Sequence, residues 1–90
     1  MNESTIVSEK AKDRFWTVVR ECLREFHGKR GSLGLQRLPS LRKKIEKWPA
    51  EQMELFYHAE PFDVACDLAG KSLDMKKHLS CYLELRDRED

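Results

Sequence analysis

Between His58 and Asp67 the chain sets one imidazole, one thiol and three carboxylates within ten residues: His58, Glu60, Asp63, Cys66 and Asp67. Carboxylate oxygens joined by an imidazole can ligate a divalent cation such as Mg²⁺ or Mn²⁺. A thiol beside an imidazole is the material of a nucleophile. Glu60, Asp63 and Asp67 recur at helical spacing with His58 two residues ahead, so a cation site on that face is one reading of the segment. The nucleophile reading is poorer, because Pro61 separates Cys66 from His58 and assigns them to different helices, out of mutual hydrogen-bond reach.

The same residues also have a structural explanation. With Pro61 as the first helical residue, Glu60 stands at the cap and Asp63 in the first turn, where carboxylates are favoured by about 0.3–1 kcal/mol against the helix dipole. Phe62, Ala65, Cys66 and Ala69 then fall on one apolar face, widened by Val64 and Leu68, and Cys66 becomes a small core residue. Neither a Gly-rich phosphate loop, a Gly-x-Ser-x-Gly turn nor a pair of histidines at metal-binding spacing occurs in the chain. The expectation is a non-enzymatic protein that needs no cofactor. Its interaction surface is expected at the helix junction carrying Tyr57, His58, Glu60, Asp63 and Asp67, where an aromatic ring and acidic neighbours suit a protein partner.

A second candidate site lies upstream. From Arg24 to Trp48 eight cations face two anions, whereas from Pro49 to Asp90 ten anions face five cations, although the whole chain carries only +1. Lys29, Arg30, Arg42, Lys43, Lys44 and Lys47 form a basic segment that could lie along nucleic-acid phosphates. The alternative function is therefore nucleic-acid binding. Pairing of the basic and acidic halves, within one molecule or between two copies, accounts for the same pattern.

Positioning these groups requires helices. Ala11, Phe15, Val18, Val19, Cys22, Leu23 and Phe26 recur at spacings of three and four and predict a helix over 9–27 behind Ser8 as N-cap. Trp16 falls at the edge of that stripe, as a lid. Three glycines in 28–34 predict a loop. A basic helix should follow, with Pro39 in its first turn and Leu38, Leu41, Ile45 and Trp48 as its seam. A short helix starting at Pro49 buries Met53, Phe56 and Tyr57. The next runs from Pro61 to Ala69 and stops at Gly70. The last, over 73–88, begins behind Ser72 or Asp74 and buries Met75, Leu79, Tyr82 and Leu85.

Ninety residues with 37% charged and 40% hydrophobic side chains suit one all-α domain, 1–90. The predicted architecture is a compact bundle of four to five short antiparallel helices, with frayed ends at 1–7 and 87–90 and with the first and last helices as the longest walls. Cys22, Cys66 and Cys81 are odd in number and sit in apolar helical patterns, which predicts reduced, buried thiols in a cytoplasmic protein.

Overall fold

The computed structural model describes residues 8–88, which form five helices and, among these residues, no strand. They are α1 (Glu9–Phe26), α2 (Gly28–Glu46), α3 (Ala50–Tyr57), α4 (Pro61–Ala69) and α5 (Met75–Arg88). The all-α bundle expected from periodicity is the observed fold. The fraying expected at 1–7, 89 and 90 lies outside the described residues, and Asp87 and Arg88 are the last helical residues of α5.

Helix α1 starts where Ser8 Oγ accepts the Ala11 amide at 3.1 Å, with Glu9 in the first turn. Its buried stripe is Phe15, Trp16, Val18, Val19, Cys22 and Leu23. Trp16 is fully buried and central rather than a lid. Residues 28–34 are not a loop. One residue, His27, separates α1 from α2, and Gly28 takes the chain through the reversal with φ +53°.

Gly31 and Gly34 serve a different purpose from Gly28. A Cβ on Gly31 would collide with the Leu23 backbone carbonyl, and one on Gly34 would meet the Leu23 side chain. Glycine here permits two backbones to approach closely, so the run that reads as a turn signal is a packing surface. Pro39 consequently stands inside α2 rather than in its first turn. It offers no amide to the Leu35 carbonyl, a defect that costs a helix interior about 3 kcal/mol. The helix continues because Leu38 and Ile45 are buried on either side of it, each worth roughly 1.5–3 kcal/mol. With the glycine run helical, α1 and α2 are the longest walls and α5 is shorter.

Helix α4 packs against both α1 and α2. Glu60 is its extended N-cap, Pro61 begins it, and Gly70 ends it in the left-handed region with φ +71°. The Lys71 amide reaches back to the Cys66 carbonyl at 3.1 Å, closing a Schellman turn. Phe62, Val64, Ala65, Cys66, Leu68 and Ala69 are all buried. Helix α3 has no fully buried residue and leans on the core through half-buried Met53, Phe56 and Tyr57.

Helix α5 is capped by Asp74, whose Oδ1 accepts the Lys76 amide at 3.0 Å, and it buries Tyr82 and Leu85 against the bundle. Leu79, expected in the core, is 42% exposed. His78 takes the inward direction instead, with its ring 5.2 Å from that of Phe26 and 6.1 Å from that of Phe62. Cys81 is exposed, unlike buried Cys22 and Cys66, and all three thiols are free.

The close approach at Gly31 makes a directional prediction. Gly31→Ala should lower stability by roughly 3 kcal/mol or more, because a backbone carbonyl cannot move aside as a side-chain end can. Gly28→Ala, which meets no atom within 4 Å, should cost only the roughly 1–2 kcal/mol of a left-handed residue. Urea denaturation of the two variants measures the difference.

Candidate functional site

The junction between α3 and α4 brings the five acidic and aromatic candidates together in sequence and divides them in space. Tyr57 is half-buried, and its hydroxyl accepts the Trp16 indole N–H at 2.9 Å. Its ring lies 5.1 Å from Phe15 and 5.4 Å from Phe56, edge-on to both. It is therefore the polar terminus of the aromatic core and not a free anchor. Glu60, half-exposed, reaches across to α5: its Oε1 accepts the Tyr82 hydroxyl at 2.7 Å and lies 3.4 Å from Arg86 Nη1. Burial, followed by the hydrogen bond and charge of Glu60, pushes the Tyr82 phenol well above its ordinary pKa. His58, Asp63 and Asp67 remain exposed.

This division removes the ligand set of the cation reading. Among the described residues no three His, Cys, Asp or Glu side chains gather to hold a metal ion, because Glu60 is directed at α5 while Asp63 and Asp67 face solvent. The two buried thiols are equally poor nucleophiles. Burial first, then the neighbouring Cys66 and Glu21, pushes Cys22 up to about 12. Burial first, with Asp63 and Asp67 adding to it, raises Cys66. Both stay protonated at neutral pH, and thiolate rather than thiol is the reactive form.

The basic segment is divided in the same way. Arg42 bonds to Asp13 of α1 and to Glu46 of its own helix, so it serves as a strut between the two long helices. Arg37, outside the predicted set, donates to the Leu68 carbonyl at 3.1 Å and satisfies the end of α4. Lys29, Arg30, Lys43, Lys44 and Lys47 are exposed.

At the C-terminal end of this segment the structure adds two residues that the sequence reading assigned to the core or left unmarked. Trp48 is 36% exposed, with its ring edge-on to Phe56 at 6.1 Å. Leu55, next to Phe56 in α3, is 70% exposed. Leu55 had a legible signal, since in an eight-residue helix Met53, Phe56 and Tyr57 define one side and Leu55 falls on the other. Lys44 precedes Trp48 by one turn and Lys47 is adjacent to it, and Lys43, Lys44 and Lys47 make no ion pair among the described residues. A shallow cleft of about 220 Å³, lined by Ala11, Phe15, Val18, Pro61 and two arginines, is below the roughly 300–1,000 Å³ usual for small-molecule sites.

His27 is the buried polar group that spacing alone does not explain. It stands four residues beyond Leu23 on the apolar stripe and is only 8% exposed. Neither ring nitrogen has a hydrogen-bond partner among the described residues. Burial, then the charges of Lys71 and His78, lowers its pKa, so it is a neutral core residue and not a cation at the end of α1. No protein-family model, curated protein or solved structure matches the chain.

Two measurements follow from these contacts. Tyr57→Phe leaves the buried Trp16 N–H without its acceptor and should cost about 1–3 kcal/mol in chemical denaturation. For His27, folded and unfolded states are both neutral above the ordinary value of about 6.5. As pH falls below it, the unfolded chain binds a proton that the folded chain refuses, so stability declines until the lowered folded pKa is reached. His27→Leu should flatten the dependence of melting temperature on pH between about 7 and 5 relative to the parent chain.

Proposed function

We propose that this chain is a small non-enzymatic interaction module of the cytoplasm that binds an acidic, partly apolar segment of another protein through Trp48 and Leu55. One observation carries the reading: Leu55 of α3, at 70% exposure, and Trp48 of the preceding turn, at 36%, are large apolar side chains left at the surface, as Leu33 near the start of α2 is at 48%. An exposed indole is the usual kind of interface anchor, and Leu55 adds apolar surface from the following helix. Lys43, Lys44 and Lys47 supply the charge that would steer an acidic partner. The surface thus differs from the acidic junction favoured by spacing, because the Tyr57 hydroxyl is bonded to Trp16 and the Glu60 carboxylate to Tyr82.

A second reading has its own support. An exposed indole beside three lysines also suits stacking on an unpaired base of single-stranded nucleic acid, with the lysines on phosphates. Leu55 favours the protein reading, since an aliphatic side chain adds nothing to phosphate or base recognition.

Only Trp48 of the two tryptophans is accessible, Trp16 being fully buried, so intrinsic fluorescence reports on the patch. Titration with an amphipathic Leu/Glu peptide should give a saturable change in emission. Leu55→Ser and the triple change Lys43→Glu, Lys44→Glu, Lys47→Glu should each weaken binding about 30-fold, the effect of losing roughly 2 kcal/mol. A poly-dT oligonucleotide that binds with a steep salt dependence, in a manner insensitive to Leu55→Ser, would transfer the function to the second reading. Silence with both probes would remove the patch as the binding site.

A further inference from the structure

Helix α5 presents two apolar stripes, of which the fold uses one. His78, Tyr82 and Leu85 face the bundle, while Leu79 and Leu83, one turn apart, are 42% and 38% exposed. At about 100° per residue, Leu83 lies about 40°, Lys76 about 60° and Asp87 about 80° around the helix from Leu79 on the side away from Tyr82. The outer stripe is therefore a leucine pair with a cation one turn before it and an anion one turn after it, all four exposed.

We infer that this stripe is a self-association surface on which α5 pairs antiparallel with α5 of a second copy across a twofold axis. The charge layout selects that occupant. In an antiparallel pair residues on the same flank of the two helices meet, so Lys76 of each copy is set against Asp87 of the other, twice over. The rise of about 1.5 Å per residue then places Leu79 of one copy beside Leu83 of the other near the axis. In a parallel pair opposite flanks meet, so Lys76 and Asp87, which share a flank, would find no partner of opposite charge in each other. The macrodipoles agree, since antiparallel helices bring each positive end to a negative one.

The remaining charges of α5 do not interfere. Arg86 is held by Glu60 and covers the Tyr82 ring at 5.5 Å, while Lys77, Glu84 and Arg88 fall about 140–180° from Leu79, on the far side of the helix. A 14-residue helix is about 21 Å long, so the contact belongs to the small, reversible class below roughly 1,200 Å². The dimer is accordingly a concentration-dependent one, closed and isologous, and a third copy finds no free stripe. This surface is separate from Trp48 and Leu55, and its fate does not depend on what they bind.

Sedimentation velocity of the full chain from about 5 to 500 µM should show a monomer–dimer equilibrium. Leu83→Glu should be monomeric throughout with an unchanged circular dichroism spectrum. Lys76→Asp and Asp87→Lys should each weaken the dimer roughly tenfold, and the double swap should restore it, because the swapped pair meets in the same register. Each swap also places its new charge favourably for the dipole of α5, so helix loss cannot mimic the effect. A parent chain monomeric at 500 µM overturns the inference. So does a dimer that survives Leu83→Glu, or a double swap no better than the single ones.

Discussion

The distance between α1 and α2 is set where the Leu23 carbonyl meets Gly31. At that contact there is no room for a methyl group, and the neighbouring Gly34 lets the Leu23 side chain lie flat against α2. The groove formed by these two helices receives α4, which is buried along nearly all its length. α4 in turn presents Phe62 to Tyr82 of α5, with ring centroids 5.4 Å apart. α3 depends on the other end of the groove, where Phe56 stacks on Trp16. A wider separation at Gly31 would loosen each of these in succession, since packed interiors do not redistribute a gap without losing contacts.

Polar groups inside this core are placed with similar economy. The indole of Trp16 and the phenol of Tyr82 both need a partner once buried, and each takes it from the α3–α4 junction: Tyr57 for one, Glu60 for the other. Two residues with the chemistry of a recognition site are thus committed to joining helices. His27 is the exception, buried without such a partner and held neutral.

How much of this was legible depends on how far away the deciding partner lies. Ser8 as cap, the stripe of α1, and the Pro61–Gly70 limits of α4 were readable because local chemistry and final packing agree there. The start of α2 was not, because a glycine that permits a turn and a glycine that permits close approach are the same letter. Nor does Pro39 announce that flanking leucine and isoleucine burial will outweigh its missing amide. The directions of Tyr57 and Glu60 were hidden for another reason: their partners stand 41 and 22 residues away. In α5 apolar residues at 75, 79, 82, 83 and 85 satisfy two overlapping stripes, and only contact with Phe26 and Phe62 shows that His78, not Leu79, turns inward.

The single-residue turn at His27 also governs the order in which the molecule can assemble. Because α1 and α2 are consecutive, the contacts near their junction close small loops, and little chain entropy is lost before they form. Contacts between α1 and α5 close nearly the whole chain and gain nothing until the intervening helices are in place. Local contacts of the first kind are those that speed folding. The α1–α2 hairpin is therefore the part of the fold whose contacts cost the least chain entropy to form.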